Sequence, residues 1–204
     1  MKWYKYDIRD LTNEEYNKYF SLMSPEKQLR VNKFRFADDK KRTVAGEMLA
    51  RKTIAEWCSV DETDIVFYKN EHGKPYLKDL PCYFNISHSG DFVVCAVSEN
   101  EIGIDIEKIR PIDLKIAKKI CTETELKYLF NGIPNENDFN LATDDELLSR
   151  FFKLWTAKEA YGKCKGIGVD FIDTLSYKFF FTEIQITYII AIYEENCILK
   201  KRTM

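Results

Sequence analysis

An α+β fold built from two similar halves is predicted by three features of the sequence. The order strand, short helices, long helix, hairpin runs through the chain twice. The apolar strand Phe92-Val-Val-Cys-Ala-Val of the first run is answered by Tyr188-Ile-Ile-Ala-Ile-Tyr in the second. Between the runs lies Ile102-Gly-Ile-Asp-Ile-Glu107, whose alternation sends Ile102, Ile104 and Ile106 to one face of a strand and Asp105 and Glu107 to the other. Repeated blocks of this kind predict two pseudo-symmetric halves, 1–101 and 102–204, packed face to face with a ligand cleft between them.

In order, Trp3 to Ile8 reads as a strand and Asn13 to Leu22 as a helix. Ser24-Pro25 supplies a cap and a first-turn proline for a second helix carrying Lys27, Arg30, Lys33 and Arg35. Asp38 or Asp39 is then expected to cap a long helix with the apolar stripe Val44, Ala45, Met48, Leu49 and Ala55. Lys41, Arg42, Arg51 and Lys52 lie off that stripe, and most are expected in water. Asp64 to Tyr68 is a strand, His72-Gly73-Lys74-Pro75 a turn, and Tyr83 to Ser87 with Phe92 to Ser98 a hairpin around Ser89-Gly90-Asp91.

After the central strand, Ile116, Ala117 and Ile120 point inward from a helix, and Thr122 with Glu125 three residues on has the spacing of a capping box. A polar loop, Asn131 to Asn140, precedes a long helix from about Asp144 to Lys163. The runs Thr174 to Phe181 and Ile184 to Tyr193 are β-rich.

Composition excludes several classes. With 204 residues, 45% hydrophobic, the chain can bury one sizeable core or two small ones, and a net charge of −2 gives no general attraction to nucleic acid or anionic membrane. An anion site must therefore be built locally. The N-terminus has no apolar leader core, and Phe92 to Val97 and Tyr188 to Tyr193 are too short to span a bilayer, so a cytoplasmic protein is expected. Cysteines 58, 82, 95, 121, 164 and 197 form no C-x-x-C pair and read as reduced thiols, mostly in the core.

Asp105 and Glu107 hold two carboxylates side by side, an arrangement that a hard divalent cation makes tolerable. Taken alone, a D-x-E strand is an ordinary solvated face. The second long helix, however, places Trp155, Glu159 and Lys163 on one face, at i, i+4 and i+8. Phe151, Phe152 and Leu154 mark that helix as deeply packed, an odd place for an idle glutamate, although an exposed Glu159–Lys163 ion pair is the plain alternative. A third carboxylate facing the first two would complete an oxygen-only site suited to magnesium. His88 lies in Asn85-Ile-Ser-His-Ser-Gly90, beside two hydroxyls and a turn. A lone histidine is usually a satisfied polar residue, and the lack of a G-x-S-x-G elbow argues against serine hydrolysis. Lys27, Arg30 and Arg42 would form a basic wall for a terminal phosphate only if they converge.

Gly73-Lys-Pro75, Phe84-Asn-Ile-Ser-His-Ser-Gly90, Ile102-Gly-Ile-Asp-Ile-Glu107 and Trp155-Thr-Ala-Lys-Glu-Ala-Tyr-Gly-Lys163, in this order and at these separations, resemble the Sfp-type 4'-phosphopantetheinyl transferases. The similarity runs from about residue 18 to about residue 177 and includes Ser24-Pro-Glu-Lys27 and the Arg42-Thr-x-x-Gly46 pattern. The resemblance implies two pseudo-symmetric α+β halves, coenzyme A in the cleft, and magnesium, with manganese as a substitute, on its pyrophosphate. It implies Asp105, Glu107 and Glu159 as metal ligands. Lys27, Arg30, Arg42, His88 and the Ser87 segment would hold the adenosine 3'-phosphate, Gly73, Lys74 and Pro75 would lie along the adenine, and Lys158 and Lys163 would face the pyrophosphate.

The reaction so implied moves phosphopantetheine from coenzyme A to a serine of an acyl or peptidyl carrier protein, releasing adenosine 3',5'-bisphosphate. The physiological carrier, whether of fatty acid, polyketide or nonribosomal peptide synthesis, stays open. Asp105, Glu159 and Lys163 would be the catalytic residues: Lys163, with magnesium, suits charge neutralisation at phosphorus, and Glu159 suits the role of general base. Glu125 also matches an acidic family position, with its capping-box spacing an equal reason for its presence. The carrier would dock on Pro111 to Cys121, where Lys115, Lys118 and Lys119 surround Ile112, Leu114 and Ile116, or after Gly166; an ordinary amphipathic helix explains the first segment equally well. Two other readings remain at this point: a magnesium-dependent coenzyme A diphosphatase, against which the lack of a glutamate-rich Nudix helix speaks, and a non-catalytic coenzyme A or carrier-binding module. A monomer is expected. Beyond Tyr177 the chain departs from its relatives, and its last hairpin is expected either to close the second half or to leave an open edge strand.

Overall fold

The computed structural model describes residues 1–70, 73–169 and 172–195. Two three-stranded antiparallel sheets form its centre. In the first, strands β1 (Lys2–Asp7), β4 (Tyr83–Ser89) and β5 (Phe92–Ser98) are ordered β1-β5-β4. In the second, β6 (Ile102–Lys108), β9 (Phe180–Ile184) and β10 (Tyr188–Glu194) are ordered β6-β10-β9. Smaller pairs join β2 (Phe67–Lys69) to β3 (Pro75–Leu77) and β7 (Ile112–Asp113) to β8 (Leu141–Ala142).

The alternation of strand side chains decides what each face meets. Val93, Cys95 and Val97 of β5 turn outward to a core that includes Val44, Met48 and Ile54 of the long helix α3 (Ala37–Cys58). Phe92, Val94 and Ala96 turn inward and join Ile102, Ile104, Ile106, Ile190 and Ile192 in one buried cluster between the two sheets. On its far side the second sheet is covered by helix α6 (Asp145–Lys165), whose Ala157 and Ala160 pack on Ala191 of β10. The layers therefore run helix, sheet, sheet, helix. The three isoleucines of β6 are at most 1% exposed, so their burial supplies much of the force that holds the sheets together.

Strand β6 would leave an open edge, since among the described strands only β10 pairs with it. Polar side chains of β4 cover that edge. Asn85 Oδ1 accepts from the backbone N–H of Ile104 at 3.0 Å, and Ser89 Oγ accepts from that of Lys108 at 3.1 Å. Asn85, Ser87 and Ser89 stand opposite Ala96, Val94 and Phe92 in the β4–β5 register, so they share the inner face.

The remaining helices are α1 (Asn13–Ser21), α2 (Pro25–Lys33), α4 (Ala117–Ile120) and α5 (Glu123–Phe130). Ser24 caps α2 through the N–H of Lys27, with Pro25 in the first turn, and Thr122 and Glu125 form the capping box of α5. Several expectations need correction. Phe36, not Asp38 or Asp39, is the N-cap of α3; the two aspartates lie in its first turn and Asp39 pairs with Arg42 at 2.6 Å. Residues 62–64 form a 3-10 turn, so the strand expected from Asp64 is only Phe67–Lys69. The segment 112–120 is a two-residue strand, a 3-10 turn and one helical turn rather than a single amphipathic helix. Thr174–Ser176 is a 3-10 turn, and the strand begins at Phe180. Arg51 is buried: its guanidinium donates to Glu47, to the carbonyls of Leu22, Glu62 and Ile65, and lies over Phe67.

Cys82, Cys95, Cys121 and Cys164 are buried free thiols and Cys58 is half-buried. His72, Cys197 and the basic end of the chain lie outside the described residues. The last hairpin does close the second sheet, with β9 as its outer strand.

Candidate active site

On β6 the face turned toward α6 reads Gly103, Asp105, Glu107. Gly103 sets the approach. A Cβ at this position would stand 1.9 Å from the carbonyl oxygen of Ala160 and 2.6 Å from the amide nitrogen of Cys164, so only glycine lets the helix backbone lie on the strand. A glycine inside an isoleucine strand is the sequence sign of such a close backbone approach.

Helix and strand then meet residue by residue. Trp155 Nε1 donates to Glu107 Oε1 at 3.2 Å, and two turns further on Lys163 Nζ lies 2.5 Å from Asp105 Oδ1. Glu159 stands midway between those two on the same helical face. It is half-buried, and no hydrogen bond or ion pair joins it to another described residue.

Asp105 is the centre of the arrangement. Its Oδ1 takes Lys163 and also the hydroxyl of Ser87, at 2.7 Å, while Lys163 donates to Ser87 Oγ at 2.9 Å. Its Oδ2 is buried and has no hydrogen-bond partner among the described residues. Burial pushes the Asp105 carboxyl up to about 6, against the opposing pull of Lys163 and Ser87 and with a small contribution from Glu107. Glu107 is engaged by Trp155, by Ser89 at 3.1 Å and by Arg110 at 3.4 Å. Among the described residues no three His, Cys, Asp or Glu side chains are gathered closely enough to hold a metal, so the carboxylates of Asp105, Glu107 and Glu159 share a region without converging. The donor chemistry nevertheless fits a hard cation: oxygen ligands only, one buried carboxylate oxygen without a partner, and a second carboxylate two residues along the same face.

The cleft opens beside this pair. A space of about 810 Å³ is lined by Gly73, Lys74, Pro75, Asn85, Lys163 and Gly166, so both halves contribute. Sharing Gly73, Pro75 and Ile86 with it is a second cavity of about 500 Å³, where Lys27 and Arg30 are joined by Glu47, Arg51 and Phe67. The Lys27 ammonium lies 2.6 Å from the buried carboxylate of Glu47, which Arg51 holds from the other side at 2.8 Å. The sequence offers no sign of Glu47, and it presents Arg51 only as one of the charges off the apolar stripe. The α3 face they occupy is apolar elsewhere, and a Glu-x-x-x-Arg pair on a helix normally reads as surface.

His88 and Arg42 lie further along. On β4 the side chains of Phe84, Ile86 and His88 face away from Ser87, so Ser87 and His88 point to opposite sides of the strand. Arg42 donates to the carbonyl of Gly90 at 2.8 Å. The packing around His88, then the cations Arg42 and Lys163, hold its imidazole below the ordinary value. Its side chain is exposed on the outer face of β4, in a cationic neighbourhood. Lys27 and Arg30 line the smaller cavity, whereas Arg42 and His88 do not. Lys74 reaches across to the last turn of α6, donating to the carbonyl of Cys164 and lying over the Tyr76 ring.

Lys158 requires a correction. Its side chain is fully buried and paired at 2.7 Å with the equally buried Glu125, and its ammonium donates to the carbonyl of Ile172. It cannot face a pyrophosphate from there. Glu125 also accepts from the N–H and hydroxyl of Thr174, at 2.8 and 2.6 Å, so its structural role extends well beyond the capping box. The candidate docking lysines are partly committed too: Lys118 pairs with Glu136, Lys115 with Asp113, and Leu114 is buried.

Residues 10–100 match the family model described as 4'-phosphopantetheinyl transferase, N-terminal, and residues 101–198 match that of the 4'-phosphopantetheinyl transferase superfamily. The chain belongs to the 4'-phosphopantetheinyl transferase superfamily. It is 40% identical over 176 residues to 4'-phosphopantetheinyl transferase Sfp of Bacillus subtilis (strain 168), covering 85% of this chain and 74% of that one. It is 36% identical to 4'-phosphopantetheinyl transferase ffp of Bacillus subtilis, with the same coverage, and 38% identical over 160 residues to 4'-phosphopantetheinyl transferase gsp of Aneurinibacillus migulanus, covering 78% of this chain and 63% of the relative. As a 4'-phosphopantetheinyl transferase relative it has an α+β fold, and no helix among its described residues is long and apolar enough to cross a membrane.

Proposed function

We propose that this chain transfers 4'-phosphopantetheine from coenzyme A to a serine of an acyl or peptidyl carrier protein, releasing adenosine 3',5'-bisphosphate. Membership of the transferase superfamily supports the reaction class. The single observation that carries the site is the Asp105–Lys163 pair, contributed by two distant parts of the chain at the rim of the cleft. In this reading residues 1–101 and 102–204 are the two halves that enclose the donor.

Asp105, Glu107 and Glu159 would hold magnesium, or manganese in its place, which when bound neutralises the pyrophosphate oxygens. Lys163 supplies a further positive charge as bond order shifts toward the leaving phosphate. Lys27 and Arg30 in the smaller cavity, with Arg42, His88 and the backbone of the Ser87 segment, bind the 3'-phosphate. Gly73, Lys74 and Pro75 flank the adenine. Glu159, which no other described residue engages, takes the proton of the carrier serine.

Mass spectrometry of an apo-carrier incubated with the chain, coenzyme A and magnesium tests the reading. An adduct of phosphopantetheine on the carrier is expected; an unmodified carrier refutes it. Glu159→Gln should abolish transfer with an unchanged circular dichroism spectrum, and retained turnover would remove Glu159 from the mechanism.

A further inference from the structure

Asp105 is only half satisfied. One oxygen is saturated by Lys163 and Ser87, while the other is buried without a partner among the described residues, in a residue that is 3% exposed. An orphaned buried acceptor is costly and uncommon, and calls for a ligand. Yet the ammonium that neutralises this carboxylate lies 2.5 Å from its other oxygen, where it repels any second cation that approaches.

We propose that Lys163 is a built-in counter-ion that a divalent cation must displace from Asp105, and that coenzyme A assists the exchange by drawing the ammonium into the cleft. The inference rests on the transferase reading for the identity of the anion, but the exchange itself is a property of this chain. Lys163 is suited to it. Its side chain is 29% exposed, it lines the 810 Å³ space, and a lysine stem swings its charge over several ångströms without moving the helix. Its alternative partner is the anion. With the cleft empty, Lys163 does best on Asp105; with phosphate in the cleft, it moves to the phosphate and the carboxylate becomes available. Cation and nucleotide then raise each other's affinity by the same factor. Ser87 stays behind as a hydroxyl donor to Asp105 Oδ1, which keeps the carboxylate aimed during the exchange.

Manganese binding to the full chain, followed by electron paramagnetic resonance of the free ion with and without coenzyme A, tests this without reference to turnover. The wild type should bind Mn²⁺ weakly alone and distinctly more tightly with coenzyme A. Lys163→Met should bind Mn²⁺ alone about tenfold or more tightly than the wild type, and coenzyme A should tighten its binding by a smaller factor than it tightens the wild type's. Lys163→Arg, which keeps the charge, should behave like the wild type, and Asp105→Asn should lose binding. Circular dichroism checks that each variant is folded. Should Lys163→Met misfold, the uncharged Lys163→Gln takes its place. The proposal is overturned if the uncharged variant binds Mn²⁺ no better than the wild type, or if coenzyme A tightens both equally. Failure of the wild type to modify a carrier would count against the transferase reading instead, and the Mn²⁺ affinities would still decide the exchange.

Discussion

Gly103→Ala is the sharpest available perturbation of the site, because it adds one methyl group at the contact between strand and helix. The new Cβ would lie 1.9 Å from Ala160 O and 2.6 Å from Cys164 N, both backbone atoms of α6. Contacts tighter than 3.4 Å are rare, so the helix would have to retreat by about 1.5 Å from β6. No rotamer change relieves a clash with backbone. Overpacking of this severity costs about 3 kcal/mol, and in a domain of this size that lowers Tm by roughly 6–12 °C. The same retreat carries Glu159 and Lys163 away from Asp105 and Glu107. A displacement of about 1 Å at reacting groups costs roughly 100-fold in rate, so transfer should fall at least that far even at a temperature where the variant is fully folded. Gly132→Ala is the matching control, since a Cβ there meets nothing within 4 Å. Urea denaturation and the initial rate of carrier modification measure the two effects. Wild-type stability and rate for Gly103→Ala would refute the claim that helix α6 is seated on β6 at this glycine.

Other consequences are as definite. Glu125→Gln or Lys158→Met, each leaving one charge of a fully buried pair, should destabilise by roughly 3–5 kcal/mol in chemical denaturation, while Glu125→Leu combined with Lys158→Met should recover much of the loss. The turn before β10 puts Gln185 and Ile186 at φ of 52° and 61°, a conformation a β-branched residue adopts at a cost of about 1–2 kcal/mol, so Ile186→Gly should raise the denaturation midpoint. Burial, and then the Glu62 carboxylate, push the Tyr19 hydroxyl up to about 12. The unfolded chain ionises near the ordinary value of 10 while the folded one does not, so stability from this group is intact below pH 10 and lost as pH rises toward 12. Tyr19→Phe should flatten the alkaline limb of the stability curve, as measured by urea midpoints between pH 9 and 12.

How much of this was legible in the sequence depended on whether a residue acts through its own element or through a neighbour. The period-2 alternation of Ile102 to Glu107 and the i, i+4, i+8 spacing of Trp155, Glu159 and Lys163 are local patterns, and each face they define is the face the structure uses. The caps at Ser24 and Thr122 are likewise local. The opposite holds for Lys158. It sits one residue before Glu159 in the motif, so its chemistry suggested the same ligand, but successive helical positions are about 100° apart and this one points into the core toward α5. Arg51 escaped for a related reason. Charge on a helix reads as surface unless a partner is known, and its partners are three carbonyls from segments 11 to 29 residues away. The strand expected from Asp64 failed because Asp61 caps a 3-10 turn first, accepting from Thr63 N at 2.8 Å.

The segment Asn85 to Ser89 shows why motif and architecture are hard to separate in this fold. Read for chemistry, it is a histidine flanked by hydroxyls. Strand alternation divides it: His88 goes outward to the Arg42 side, while Asn85, Ser87 and Ser89 go inward and meet β6 at Ile104, Asp105, Glu107 and Lys108. Two of those contacts satisfy backbone N–H groups on the edge of β6 that β10 does not pair, so they join the halves. The other two grip the carboxylates of the candidate site. One strand thus fixes the spacing between the sheets and the aim of Asp105 and Glu107 together. If so, Asn85→Ala should do more than remove one hydrogen bond. It leaves a buried N–H of Ile104 unpaired, which costs about 1–3 kcal/mol, and loosens the register on which Ser87 and Ser89 depend. Ser89→Ala, at a half-buried position, should cost less stability yet weaken Mn²⁺ binding, because Glu107 loses a donor that orients it. An Asn85→Ala variant with wild-type stability would show that the apolar contact of the isoleucines alone sets how the two sheets meet.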